Sequence, residues 1–306
     1  MPDDLVERFR HGDRQALSRL LTHTAHGQYP TGISVGGNSS RGRIVAFTGS
    51  GGVGKSTLVG KLIEVARSHG RSVAVLACDP QSPLTGGALL GDRFRMPSRP
   101  DDDGVFIRSI ATAGDRGAVA QHIGAMAKVL EAFGFDFVFV ETAGAGQGDT
   151  AVRAVADVVV LLLQPETGDD LQWEKAGLLE VADIIVVHKA DLPGSDHVEA
   201  QVNAALQLSA KPLARVVRAS SRTGEGLERL WQLIAENPGR RADGSGAARD
   251  LLRLAQEDLR QRFASKEASR DPGLMDLIAR WREHRLPERE ASALLLELLG
   301  KRDDIR

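Results

Sequence analysis

Residues 49–57 carry the clearest chemical pattern in the chain. Gly49-Ser50-Gly51-Gly52-Val53-Gly54-Lys55-Ser56-Thr57 fits GxxxxGK[ST], placed between a strand-like run and a helix candidate. Glycines let the backbone curl around phosphate oxygens with its amide hydrogens turned inward. Lys55 is placed to reach the β- and γ-phosphates, and Ser56 to offer a hydroxyl to magnesium. The N-terminus of the following helix favours the same anion. The stretch also satisfies GxGxxG, and Asp79 downstream suits a ribose-binding acid. A dinucleotide reading nevertheless leaves Lys55 and Ser56 unexplained. We therefore take the nine residues as a phosphate loop.

A base-reading element follows much later. His188-Lys189-Ala190-Asp191, after IIVV, resembles the N/TKxD element of GTPases. Asp191 can accept from guanine N1–H and the exocyclic amine, a donor pair that adenine lacks, while Lys189 can lay its stem beside the base. Histidine stands where asparagine is usual. Ser220-Ser221, ahead of TGEG, suits a backbone loop closing over guanine. The expected ligand is GTP rather than ATP.

Acidic and amide side chains complete the candidate chemistry. Asp79 ends a buried strand and can organise a metal shell through Ser56 or water. Asp92 lies in a turn-rich segment suited to a mobile contact with magnesium or the attacking water. Glu141 ends FVFVE and can orient metal-bound water, and Gln147 can position the attacking water. Strand-end capping for Asp79 and Glu141, solvation for Asp92 and loop hydrogen bonding for Gln147 are the structural alternatives.

These residues need a rigid frame. Strand-like runs are read at 44–48, 73–79, 137–141, 158–163, 184–188 and 213–219. Helices are read at 55–69, 117–132, 170–182, 196–209 and 226–236. Continuous Val/Ile/Leu strands alternating with helices predict an α/β fold with a mostly parallel sheet covered on both faces. Residues 1–40 read as a helical lead-in whose Leu17, Leu20 and Leu21 share a face, and 41–238 as the nucleotide domain. NPGRRADGSG punctuates the chain before an amphipathic helical region, 239–306. Its apolar stripes can pack on the α/β body or on a second subunit.

Composition excludes several classes. The 306 residues carry 39 Lys+Arg against 41 Asp+Glu, a net charge of −2, which argues against a nucleic-acid polyelectrolyte. Cys78 is the sole cysteine and is expected in the core, so an intrachain disulfide, a cysteine-rich zinc site or a CxxC centre is ruled out. No 18-residue apolar run could span a membrane, and the first residues lack a secretory h-region. A cytoplasmic enzyme or switch is the expectation.

The ordered set of the phosphate loop, DPQSPLTGGALLGDRFRM at 79–96, ETAGAGQGD at 141–149, PETGDDLQWEKAG at 165–177 and HKAD at 188–191 resembles the MeaB/ArgK-like GTPases. These are G-protein chaperones of adenosylcobalamin-dependent acyl-CoA mutases. The resemblance covers nearly the whole chain and implies a phosphate-loop GTPase that uses Mg2+ and turns GTP into GDP and phosphate. Its role would be to gate adenosylcobalamin loading or protection of a partner mutase, the cofactor belonging to that partner. It further implies switches at 79–96, 141–149 and 165–177, with Asp169, Asp170 and Lys175 making partner-sensitive ion pairs, and a homodimer joined through the C-terminal helices. The 165–177 segment departs from the PGxGDELQGIK pattern of methylmalonyl-CoA mutase chaperones and looks closer to the branch serving 2-hydroxyisobutyryl-CoA mutase. Two alternatives stay open: a phosphate-loop ATPase for metal delivery or assembly, and a nonenzymatic GTP-dependent scaffold.

Overall fold

The apolar runs become the strands of one seven-stranded sheet. They are β1 (Arg43–Gly49), β2 (Val73–Pro80), β3 (Val105–Thr112), β4 (Phe137–Glu141), β5 (Val158–Leu163), β6 (Ile184–His188) and β7 (Arg215–Ala219). Their order is β3-β2-β4-β1-β5-β6-β7, and every neighbouring pair is parallel. This computed structural model describes residues 3–30, 33, 42–80, 102–112, 122–143, 153, 155–165, 178–207, 214–239 and 247–300. Parallel strands need crossovers, and the crossover helices cover both faces, which is why the central strands carry continuous apolar runs.

β1 shows how the two faces are built. Val45 and Phe47 point into a core shared with α3 (Lys55–Ser68) and the helix Leu227–Glu236; Phe47 meets Phe139 edge-on at 5.1 Å. Ile44 and Ala46 point the other way, towards α1 (Asp3–Arg10), α2 (Arg14–Ala25) and α4 (Ile123–Phe133). Leu17, Leu20 and Leu21 are fully buried there, so the lead-in helices form one layer against the sheet. Asp13 starts α2 by accepting from the amides of Gln15 and Ala16. Cys78 is buried in the same core.

The sequence reading missed β3. Its VFIRSIAT mixes polar and apolar residues, as an edge strand half-exposed to solvent permits, and it sits within a stretch otherwise rich in Gly, Pro and Asp. Helix boundaries also differ. α4 starts at Ile123, with His122 at φ 66° before it, and the helix expected over 170–182 is described only as α5 (Leu178–Val181). α6 (Ser195–Gln207) and α7 (Leu227–Glu236) complete the layers.

The chain divides into two compact units, Met1–Ala242 and Asp243–Arg306. The second holds α8 (Ala247–Ala268), α9 (Pro272–Arg282) and α10 (Glu288–Gly300). Asp271 caps α9 at the Leu274 amide, 3.0 Å away, with Pro272 in the first turn, and Lys266 Nζ lies 3.0 Å from the same carboxylate. Leu274, Leu277 and Leu299 are buried within this unit, whereas Leu251, Leu252, Trp281 and Leu296 are 51–69% exposed. Among the described residues no helix is long and apolar enough to cross a membrane.

Candidate nucleotide-binding site

β1 is the central strand, and the loop that leaves its C-terminal end turns directly into α3. Two glycines there are dictated by crowding. Gly49 has φ 145°, and a Cβ on it would lie 2.5 Å from the Leu162 carbonyl oxygen on β5. Gly54 has φ 97°, and its Cβ would lie 2.6 Å from His188 Cε1. The buried Lys55 ammonium donates to the carbonyls of Gly49 (2.9 Å) and Ser50 (3.0 Å), so its charge is held across the loop. Behind it the first amides of α3 point out of the helix, the arrangement that receives phosphate oxygens. Gly51, Gly52, Val53 and Thr57 lie in this same loop and first turn.

Ser56, the second residue of α3, donates from Oγ to Glu141 Oε1 at 2.6 Å, and both side chains are buried. Glu141 is the last residue of β4 and stands level with Phe47 of the neighbouring β1. The Thr142 amide continues the ladder to the Phe47 carbonyl at 3.0 Å, which fixes the chain just beyond the carboxylate. A hydroxyl and a carboxylate are hard oxygen donors, the kind Mg2+ takes in small number beside substrate phosphates, so this pair fits that ion. Among the described residues no cluster of three His, Cys, Asp or Glu could form an all-protein metal cage. Asp79 is the penultimate residue of β2, level with Ala111 and at the same end of the sheet as Glu141. Asp92, Gln147, Asp169, Asp170 and Lys175 lie outside the described residues.

The His188–Asp191 segment, expected to read the base, arrives on β6, two strands away from β1. His188 ends that strand and is buried. Its Nδ1 is 2.7 Å from the Val53 carbonyl, which can only accept, so Nδ1 carries the hydrogen. Nε2 then accepts from Ser221 Oγ at 2.8 Å. Both ring nitrogens are thus engaged with protein, and the histidine ties the phosphate loop to the Ser220–Ser221 turn. Burial holds its pKa below the ordinary histidine value against the bond to Val53, with Lys189 acting in the same direction as burial.

Lys189 follows with φ 56°, and the Ala190 amide pairs with the Ala219 carbonyl at 3.1 Å, so Asp191 leaves the sheet beside the end of β7. Ser220 Oγ donates to Asp191 Oδ1. Arg222 reaches Asp191 Oδ2 with Nε at 2.9 Å and a terminal guanidinium nitrogen at 2.7 Å. The Ser220 hydroxyl foremost, then the residue's own amide and Arg222, hold the Asp191 carboxyl below the usual carboxylate range against partial burial. The sequence reading stopped at Ser221 and did not single out Arg222. The only signal was a guanidinium one position beyond a pair of loop serines.

Residues 32–271 match the family described as methylmalonyl-CoA mutase-associated GTPase MeaB. A Pyrococcus abyssi protein bearing a GTPase name is 44% identical over 253 residues, 78% of this chain and 76% of its own. GTPase ArgK of Escherichia coli is 33% identical over 250 residues, 76% of this chain and 74% of its own. A crystal structure of an LAO/AO transport system kinase covers 97% of this chain and 97% of its own, with a TM-score of 0.62 and 23% identity, a likeness of fold. The match runs from ahead of β1 to the Asp271 cap of α9, and with it the chain belongs to the MeaB/ArgK family of GTPases, which hydrolyse GTP to GDP and phosphate.

Proposed function

We propose that this GTPase is magnesium-dependent and gates the loading or protection of adenosylcobalamin on an acyl-CoA mutase. The observation that carries the nucleotide half of this reading is the buried 2.6 Å bond from Ser56 to Glu141, which joins the phosphate loop to the end of the neighbouring strand. Lys55 and the amides of residues 49–57 would hold the phosphates, Ser56 and Glu141 would hold the ion, and Asp79 and Asp92 would complete its surroundings. Mg2+, when bound, would supply positive charge beside the phosphates. Water attacks the γ-phosphorus as the bond to the GDP oxygen breaks. Lys55 steadies the charge on the transferred group, and Gln147 aims the water. Asp191 and Lys189 read guanine, with Ser220, Ser221 and His188 shaping the loop around it.

Family membership supports the mutase half. Asp169, Asp170 and Lys175 would rearrange ion pairs as the partner docks, with 79–96, 141–149 and 165–177 as the moving segments. The helical region 239–306 would join two copies into a homodimer, with residues 1–238 forming the lead-in and the nucleotide domain, all in the cytoplasm. Reconstitution tests this: the protein, adenosylcobalamin and either methylmalonyl-CoA mutase or 2-hydroxyisobutyryl-CoA mutase are mixed, and GTP turnover and cofactor transfer are followed together. Stimulated turnover and GTP-dependent transfer with one mutase would support the reading. No coupling with either would remove the chaperone role and leave a GTPase.

A further inference from the structure

We infer that Arg222 competes with guanine for Asp191 and thereby sets how strongly the site distinguishes guanine from bases with a poorer donor edge. The inference rests on Asp191 as the base-reading carboxylate. A carboxylate offers about four acceptor directions. On Asp191, the Ser220 hydroxyl takes one at Oδ1, Arg222 Nε takes one at Oδ2 at 2.9 Å, and the arginine's terminal nitrogen, an ion-pair contact at 2.7 Å, blocks the other at Oδ2. At most one direction is left.

Guanine brings two adjacent donors, N1–H and the 2-amino group. This is the same paired edge that a guanidinium presents. It must therefore displace at least one Arg222 contact to bind Asp191 through both donors. Hypoxanthine keeps N1–H but has no 2-amino group, so it displaces one contact fewer.

The two partners are unequally fixed. The Asp191 side chain is 12% exposed, whereas that of Arg222 is 75% exposed, so the arginine is the one that swings away. Ser220 stays in place. Its Oγ accepts from the amides of Arg222 (3.3 Å) and Thr223 (3.2 Å), and its own amide pairs with the Glu225 carbonyl at 2.9 Å. Arg222 thus acts as a positioning residue that keeps the carboxylate aimed and charged, at the expense of guanine affinity.

The test is titration of GDP and IDP, the hypoxanthine nucleotide, into wild type, Arg222→Ala and Asp191→Asn. Arg222→Ala should bind GDP about two- to fivefold more tightly, the span of an exposed ion pair. IDP should gain less, so the ratio of GDP to IDP affinity rises. Damage to the turn would weaken both nucleotides alike and leave that ratio unchanged. An unchanged or lowered ratio overturns the competition. Asp191→Asn reports on the underlying assignment: if it leaves GDP affinity intact, Asp191 does not read the base and the inference falls with that reading. If it weakens GDP while Arg222→Ala leaves the ratio unmoved, the competition alone is wrong.

Discussion

Ser56 Oγ and Glu141 Oε1 lie 85 positions apart in the chain and 2.6 Å apart in the fold. Parallel pairing of β1 with β4 brings them together, because it sets Glu141 level with Phe47, two residues before the phosphate loop begins. Removing the hydroxyl leaves a buried carboxylate short of one donor, which costs about 1–3 kcal/mol. Ser56→Ala should therefore lower the thermal midpoint and also raise the Mg2+ concentration needed for half-maximal GTP turnover. A variant with a normal magnesium requirement would separate this hydroxyl from the ion.

Gly54 and His188 form the second tight relationship. Adding a Cβ at φ 97°, 2.6 Å from the imidazole, combines a strained backbone with a clash against a ring pinned at both nitrogens. We expect Gly54→Ala to destabilise the fold by about 1–3 kcal/mol and to weaken guanine nucleotide binding. Thermal melts and a fluorescent-GDP titration would read the two effects separately. Native affinity in a stable variant would mean that the ring yields without loss.

His188 also gives the stability curve a definite shape. Its pKa in the fold lies below the ordinary value of about 6.5. The folded state thus takes up this proton less readily than the unfolded chain. The stability tied to the neutral ring is complete above about pH 6.5 and is lost as the pH falls through the folded value. His188→Asn should lack that part of the decline. Asp13, Asp191 and Asp271, whose pKa values are lowered, lose their share further into acid, below about pH 4, in both proteins. Thermal midpoints between pH 8 and pH 4 would show the two curves separating near neutrality.

The helical unit makes its own prediction. Leu251 and Leu252 are 69% and 59% exposed on α8, and contiguous exposed apolar side chains mark contact surfaces, whereas scattered single ones do not. If the proposed homodimer uses this face, Leu251→Glu with Leu252→Glu should shift it to monomer in analytical ultracentrifugation while leaving the thermal midpoint of the nucleotide-binding unit in place. A dimer that survives both charges would have to use another surface.

The sequence disclosed those parts of the molecule that are local. The phosphate loop is contiguous, and β1, β5 and β6 are unbroken apolar runs, so both the fold class and the position of Lys55 and Ser56 could be read directly. β3 was hidden because an edge strand carries Arg108 and Ser109 among its apolar residues. The ties that build the site are tertiary and leave no trace in spacing: the His188 ring reaches Val53 across 135 positions, and Arg222 reaches back to Asp191 across 31. His188 stood out only as a departure from the usual asparagine, and spacing alone could not show that both of its nitrogens are taken by protein. Asp92, Gln147, Asp169, Asp170 and Lys175 keep the status of sequence expectations.

The most direct test of the central claim is phosphate release and adenosylcobalamin transfer, measured in one reaction containing the GTPase, GTP, Mg2+ and a partner acyl-CoA mutase. Wild type should release phosphate faster with the mutase than without it, and should deliver cofactor only while GTP is present. Lys55→Ala should lose turnover by about 10²–10³-fold, as expected for removal of a group that stabilises developing charge, and should lose GTP-dependent transfer with it. Phosphate release indifferent to every mutase tried, or transfer that proceeds equally with the Lys55 variant, would contradict the account.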